Sequence, residues 1–137
     1  MSETQQATPY EIMGGEQTVR RLVERFYELM DILPEAYELR RLHPQDLSGS
    51  IDKLFKFLSG WLGGPQLYIE EYGHPRLRAR HLPFPIDDKQ RDLWLMCMFQ
   101  AMEEVQIDEK IKFHLTQAFT QTANHMRNQA PKINEPK

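Results

Sequence analysis

The apolar residues of this 137-residue chain recur mainly at the spacing of helices. After Gly14 and Gly15, one apolar stripe follows a single helical face until Pro34 stops it. This first stripe comprises Val19, Leu22, Val23, Phe26, Tyr27, Met30 and Leu33. The pattern predicts one long amphipathic helix with Tyr27 on its buried side.

Three more stripes of the same period follow along the chain. The second ends at Gly63-Gly64-Pro65 and comprises Leu47, Ile51, Leu54, Phe55, Leu58, Trp61 and Leu62. The third comprises Trp94, Cys97, Met98, Ala101, Met102 and Val105. The fourth comprises Ile111, His114, Leu115, Ala118, Phe119 and Thr122. Four long helices with short connectors predict an all-α fold.

Residues 76–81, with the sequence Arg-Leu-Arg-Ala-Arg-His, are the ambiguous segment. Their alternation of polar and apolar residues is typical of a half-exposed strand, but a single strand would have no partner in this chain. Pro83 and Pro85 follow and oppose a longer helix. We therefore interpret the segment as a loop that leads into a short helix.

Both ends of the chain are polar and have too little apolar surface to order themselves. We predict a disordered N-terminal tail over residues 1–9, one folded domain over residues 10–126, and a flexible C-terminal tail over residues 127–137. A single domain is the default for a chain of this length.

Composition limits the classes of partner. The formal net charge is −3, which lacks the positive field that nucleic acids or anionic membranes usually require. The N-terminus has no basic start and apolar middle of a secretory signal, and no apolar run of about 18 residues occurs. With 40% hydrophobic and 10% aromatic residues, however, the chain can form a core that encloses a medium-sized cofactor.

Cys97 is the only cysteine. A single thiol excludes an internal disulfide, a multi-cysteine zinc or iron–sulfur site, and the Cys-x-x-Cys-His attachment of a covalent haem. This cysteine usage fits a reducing cytoplasm, which is where we expect the protein to work.

His81 is the most informative candidate for chemistry, because a neutral imidazole is the commonest protein ligand of a metal. A histidine in a helical protein is more often a hydrogen-bonded or surface residue, and we interpret His74, His114 and His125 in that way. The sequence has no His-Glu-x-x-His or paired Glu-x-x-His pattern for zinc or di-iron. One axial histidine is nevertheless enough for haem, since the porphyrin supplies the other four nitrogens.

Tyr27, His43 and Trp94 are three polar aromatic residues on three different segments. Each one singly is more often a simple packing residue than a functional one. Together they could converge on one pocket as polar groups that orient a ligand. The pattern leaves both interpretations open.

Arg76, Arg78 and Arg80 form a basic patch beside His81. The simplest interpretation is a solvated loop. The alternative is that these side chains pair with anionic groups of a bound cofactor, since arginine matches planar carboxylates such as haem propionates.

Several of these segments together resemble a group II truncated haemoglobin, over a range from about Tyr10 to Met126. They are Gly14-Gly15, Phe26-Tyr27, Gly63-Gly64-Pro65, Gly73-His74-Pro75-Arg76-Leu77-Arg78-x-Arg80-His81-x-Pro83-Phe84 and Arg91-Asp92-x-Trp94-Leu95-x-Cys97-Met98. The resemblance implies a globin-like two-over-two helical sandwich, in which haem b lies between two antiparallel helix pairs.

The resemblance also implies roles at matching positions. His81 would be the proximal iron ligand, with its other ring nitrogen held by a backbone carbonyl or similar acceptor. Tyr27 and Trp94 would donate hydrogen bonds to the ligand on the distal side. His43 departs from the commoner aromatic residue, and its imidazole can donate, accept or ligate the ferric iron itself.

Further positions would line the haem. Ser50 leaves room for ligand entry, and Leu54 supplies an apolar wall that can gate it. Lys53 matches a basic position that reaches a haem propionate, and Arg80 is a second candidate for this contact. The remaining predicted cofactor contacts are Phe57, Leu77 and Phe84.

The implied activity is reversible binding of O2, NO and CO. Each distal donor contributes about 1–1.5 kcal/mol, so O2 leaves slowly, which favours nitric-oxide detoxification or peroxidase-like chemistry over O2 transport. An external reductase must supply electrons, since the chain has no Gly-x-Gly-x-x-Gly fingerprint. We expect a monomer or weak homodimer. The alternatives are a haem-based gas sensor and a cofactor-free helical interaction module.

Overall fold

The computed structural model describes residues 7–84 and 86–128, without the side chain of Arg78. Within these residues all regular structure is helical, and none of the helices is both long and apolar enough to cross a membrane. The helices are α1 Pro9–Met13, α2 Gly15–Ile32, a 3₁₀ turn Pro34–Ala36, α3 Tyr37–Arg40, α4 Ser48–Trp61, α5 Leu67–Tyr72, α6 Leu77–His81, α7 Asp88–Val105 and α8 Glu109–Met126. The prediction of an all-α fold with four long helices is confirmed.

Local signals explain where the helices begin and end. Thr8 caps α1 through a reciprocal pair of hydrogen bonds with Glu11. Gly14 has a φ of 118°, a left-handed conformation that favours glycine and separates α1 from α2. Asp87 and Asp108 accept hydrogen bonds from the first backbone N–H groups of α7 and α8.

The core lies where α2 meets α7, with α4 packed on α2 and α8 packed on α7. These four helices form the two pairs of the predicted sandwich. The fully buried side chains of α2 and α7 include Val19, Leu22, Val23, Phe26, Met30, Cys97, Met98 and Ala101. Burial of one large apolar side chain contributes about 1.5–3 kcal/mol, so this contact dominates the stability of the fold.

The fourth apolar stripe is narrower than its pattern predicts. Ile111, Leu115 and Phe119 of α8 are buried, whereas His114 is exposed. These three residues are spaced four apart and face α7, while His114 lies on the neighbouring face, where its ring contacts Phe113.

Residues 76–81 differ from the predicted loop. Helix α6 begins at Leu77 and ends at His81, so the segment is itself the short helix. The amide of Arg80 donates to the carbonyl of Arg76, closing the single turn at 3.0 Å. The helix was not predicted because one turn is too short to show a helical period. Contact with α8 stabilises this single turn instead.

Asn128 holds the segment after α6 in place. Its side-chain amide donates to the carbonyls of His81 and Phe84 at 3.1 and 2.9 Å, and its carbonyl oxygen accepts from the amide of Ile86. Asn128 lies in the range predicted as a C-terminal tail, and Thr8 lies in the predicted N-terminal tail. Residues 1–6 and 129–137 of these tails lie outside the described residues.

Cys97 provides a simple test of the packing. Its side chain is fully buried between the helix pairs, and burial raises the pKa of the thiol to about 11. Because the thiolate is the reactive form, we expect the native protein to resist thiol reagents at pH 8 and to react fully once denatured. Titration with a chromogenic disulfide reagent, with and without guanidinium chloride, measures this. Rapid reaction of the native protein would contradict the packing of α7.

Candidate functional site

His81 is half-buried at the end of α6, with one ring nitrogen already committed. Its Nδ1 lies 2.7 Å from the carbonyl oxygen of Leu77, one turn earlier. A carbonyl can only accept, so Nδ1 carries the hydrogen, and in the neutral ring Nε2 keeps its lone pair. Nε2 of the neutral ring can ligate a metal, and the backbone holds the ring in one orientation.

His43 has the same arrangement in the turn that follows α3. Its Nδ1 lies 3.0 Å from the carbonyl oxygen of Leu39. Burial lowers the pKa of His43, the Leu39 hydrogen bond partly opposes this, and the charges of Arg40 and His81 lower the pKa further. At neutral pH the ring is therefore uncharged, and its Nε2 is an acceptor.

Tyr27 supplies a buried hydroxyl to the same region. Its side chain is only 7% exposed, and burial raises its pKa well above the usual range, so the phenol stays protonated. Its ring contacts Phe26 and His43, with centroid distances of 4.9 and 5.8 Å. No residue within 7–84 or 86–128 forms a hydrogen bond with its hydroxyl. Such a group costs about 1–3 kcal/mol unless something bound in the pocket satisfies it.

Trp94 completes the cluster from α7. Its ring lies 5.0 Å from that of Phe26 and 5.6 Å from that of Phe119. The ring of Phe26 therefore contacts the rings of both Tyr27 and Trp94. Among the described residues, nothing accepts a hydrogen bond from the indole N–H. The structure thus brings together the three polar aromatic residues that the sequence singled out.

One open cavity reaches this cluster at Tyr27, and another lies apart from the cluster. The smaller, of about 300 Å³, opens between α2 and α4. Its lining consists of Glu24, Tyr27, Glu28, Asp31, Leu47 and Ile51. The larger, of about 520 Å³, is here called the α4–α8 groove. Its lining consists of Phe57, Trp61, His74, Pro75, Arg76, Leu77, Gln121, Thr122, His125 and Met126. Cavities of roughly 300–1,000 Å³ suit small organic ligands.

The two predicted propionate contacts lie beside α5. The ammonium of Lys53 is 5.7 Å from the ring centroid of Tyr72, and the guanidinium of Arg80 is 5.7 Å from that of Tyr68. Arg80 also donates its Nε hydrogen to the carbonyl of Pro75 at 2.7 Å. Both cations are exposed, and the terminal nitrogens of Arg80 point to no partner that the described residues supply.

The remaining predicted contacts are dispersed. Phe57 and Leu77 are half-buried and line the α4–α8 groove. Ser50 and Leu54 are half-buried on α4, whereas Phe84 is 43% exposed after α6. The residues predicted to line the cofactor therefore lie mainly on α4 and α6.

Sequence reasoning missed two contributors to this region. Phe119 contacts both Trp94 and Trp61, yet its position gave no signal beyond a core stripe. The carbonyl of Leu39 orients His43 from four residues earlier, as that of Leu77 orients His81, but such an acceptor was expected only for His81. A search for helical i−4 carbonyls before each histidine would have found Leu39.

The donor set fits haem. His81 offers one oriented nitrogen, which is all that an axial position requires. The buried hydroxyl of Tyr27 and the indole of Trp94, which have no acceptor among the described residues, provide donors for a polar ligand. Lys53 and Arg80 provide exposed cations at the edge of the region.

Comparisons with known proteins identify the family. The family model described as Bacterial-like globin matches residues 8–128. The Group 2 truncated hemoglobin YjbI of Bacillus subtilis (strain 168) is 46% identical over 121 residues, which cover 88% of this chain and 89% of that protein.

Solved structures give the same result. A group II 2-on-2 hemoglobin from Agrobacterium tumefaciens superposes with a TM-score of 0.90 at 48% identity, covering 95% of this chain and 100% of that one. The group II truncated hemoglobin from Bacillus anthracis superposes with a TM-score of 0.88 at 42% identity, covering 95% of this chain and 97% of that one. This chain therefore belongs to the bacterial-like globins and is a group II truncated haemoglobin, a two-on-two globin that binds diatomic gases through haem.

Proposed function

We propose that the chain holds haem b with His81 as the proximal ligand and uses the bound gas for nitric-oxide detoxification. When bound, haem supplies the iron at which O2, NO or CO is held, and at which NO, O2 and one electron combine to give nitrate. The hydrogen bond from His81 to Leu77 supports the assignment, because it leaves Nε2 free and fixes the plane of the ring.

The buried hydroxyl of Tyr27 carries the proposal. Its raised pKa keeps it a donor at neutral pH, and it has no acceptor among the residues that the structure describes. Trp94 offers a second donor across Phe26. A diatomic ligand with partial negative charge satisfies both groups in a pocket that excludes water. Each bond contributes about 1–1.5 kcal/mol, so O2 is retained long enough for NO to arrive.

His43 contributes an acceptor to this pocket. In the neutral tautomer that donates to Leu39, its Nε2 has no hydrogen to give to a ligand. The same nitrogen could accept from Tyr27 when no gas is bound, or could itself ligate the oxidised metal. We infer that His43 controls how readily the ligand-free site accepts a gas.

The proposal requires an external reductase, since one electron is consumed for each NO. The single buried Cys97 suits work in a reducing cytoplasm. We keep the expectation of a monomer or weak homodimer. The globin family disfavours the cofactor-free interaction module, and a gas sensor would require a conformational response that the distal donors alone do not provide.

Tyr27→Phe tests the distal assignment. We expect O2 to dissociate up to about tenfold faster, because the variant removes one hydrogen bond and leaves the ring packing intact. Stopped-flow displacement of O2 by CO measures the rate. Tyr37→Phe is the matched control, since Tyr37 is exposed on α3, outside the cluster. Equal rates in the two variants would remove Tyr27 from the distal site.

The proposed reaction has its own readout. O2-loaded protein supplied with a chemical reductant should convert NO to nitrate at a rate proportional to protein concentration. An NO electrode measures the consumption of NO, and nitrate analysis measures the product. Normal O2 binding without NO consumption would leave gas binding intact and contradict detoxification.

A further inference from the structure

A series of aromatic rings connects the distal pocket to the protein surface. The ring of Trp94 lies 5.6 Å from that of Phe119, which in turn lies 5.1 Å from that of Trp61 with an angle of 27° between the planes. Phe119 is buried, whereas Trp61 is 37% exposed and lines the α4–α8 groove. One phenyl ring therefore separates the distal indole from an indole that solvent and small ligands can reach.

The α4–α8 groove has an apolar floor and a basic rim. Trp61, Pro75 and Met126 supply aromatic and aliphatic surface beside Phe57 and Leu77, which are also predicted haem contacts. Arg76 lies at the rim beside imidazole and amide groups. None of the lining residues is acidic. The groove is thus complementary to a planar, mainly apolar molecule that carries a negative charge. The smaller cavity, with three carboxylates in its lining, has the opposite preference.

Arg76 has an uncommon backbone conformation. Its φ is +46°, in the left-handed region that residues with a side chain rarely adopt. Its exposed guanidinium forms no hydrogen bond or ion pair with the residues that the structure describes. Such conformations are frequent at ligand sites, and an available guanidinium matches a phosphate or carboxylate.

We propose that the α4–α8 groove binds a reduced, planar aromatic electron donor bearing a phosphate or carboxylate, and that the electron reaches the haem pocket through Trp61, Phe119 and Trp94. Arg76 holds the anionic group, and the apolar floor places the ring system against Trp61. This inference rests on the proposed function, which requires an electron from outside the chain.

The chemistry balances with two protein molecules for each donor. A dihydro-aromatic donor loses two electrons and two protons and leaves as its oxidised form. When bound, haem would accept one electron for each protein molecule, so one donor would serve two molecules. The rings of the path are not consumed, because they only shorten the gaps across which the electron moves.

Binding is tested first, with haem-loaded protein and flavin mononucleotide as the probe. Riboflavin has the same ring system but no phosphate. We expect Arg76→Glu to weaken binding of the mononucleotide about tenfold or more and to leave riboflavin unaffected, as measured by fluorescence titration. Arg21→Glu is the matched control, because it makes the same charge change at an exposed position of α2 outside both cavities. Equal affinities of the two variants for the mononucleotide would overturn the site.

Electron transfer is tested next, by mixing the ferric protein with reduced flavin mononucleotide without oxygen. We expect Trp61→Leu to slow the appearance of the ferrous spectrum about tenfold at saturating donor. Unchanged reduction by Trp61→Leu would overturn the path. Binding of CO to dithionite-reduced variants separates the two proposals. A normal CO spectrum with no flavin site refutes only this inference, whereas failure to bind CO refutes the proposed function.

Discussion

Replacing His81 with glycine should abolish stable haem binding, and added imidazole should restore it. The hydrogen bond between Nδ1 and the Leu77 carbonyl leaves Nε2 as the nitrogen that can ligate iron. Glycine removes that nitrogen and opens a space that free imidazole can fill. The absorption band of haem in the purified variant, before and after addition of imidazole, measures the effect.

His114→Gly is the control for this prediction. His114 is exposed on α8, so its replacement tests the general cost of losing an imidazole from a helix, about 1 kcal/mol for the glycine itself. We expect this variant to retain haem with an unaltered spectrum. Retained haem with the same spectrum in His81→Gly would refute the axial assignment.

Phe26→Ala should produce the largest loss of stability of any single substitution in the core of α2. The side chain is fully buried and contacts the rings of Tyr27 and Trp94. Removing a buried phenylalanine costs about 3–5 kcal/mol, through lost burial and the cavity that remains. This is a large share of the roughly 5–15 kcal/mol by which a typical domain is stable. Urea unfolding followed by far-ultraviolet circular dichroism measures it.

Phe113→Ala provides the comparison, since Phe113 is 62% exposed on α8. We expect its free energy of unfolding to change by no more than about 0.5 kcal/mol. Phe26→Ala should also accelerate O2 dissociation, because Tyr27 and Trp94 lose the ring that positions them both. A loss of stability no larger than that of Phe113→Ala would mean that Phe26 does not join the two helix pairs.

The proposed distal and proximal histidines are oriented by the same local hydrogen bond. His43 and His81 each donate the Nδ1 hydrogen to the carbonyl four residues earlier, so the neutral ring of each presents Nε2 as an acceptor. In the proposed site, His81 would bind the metal permanently and His43 only in the absence of gas. The spectrum of the ferric protein should reveal whether both are bound.

The long helices could be predicted from the sequence because their signal is local and repeated. The stripes of α2, α4, α7 and α8 extend over several turns, and glycine or proline ends two of them. Helices α1, α3 and α5 were not predicted, since four to six residues do not establish a period. Helix α6, with five residues, was not predicted for the same reason.

Some residues of the candidate site could likewise be predicted from the sequence, and others could not. Tyr27, His43, His81 and Trp94 were identified from residue type and family resemblance. Asn128 and Phe119 were not, because a tail asparagine and a core phenylalanine have no distinctive chemistry in the sequence. Their importance arises from contacts with residues 25 to 58 positions away in the chain.

The sequence by itself determined the class of fold, the extent of the long helices and the residues able to ligate iron or hold a gas, because these depend on side-chain chemistry and local periodicity. The tertiary structure decided what those residues face. It placed Phe26 between Tyr27 and Trp94, left the Tyr27 hydroxyl without a partner among the described residues, and connected Trp94 to the surface through Phe119. Such contacts join distant parts of the chain, and only the packing of helices against one another determines them.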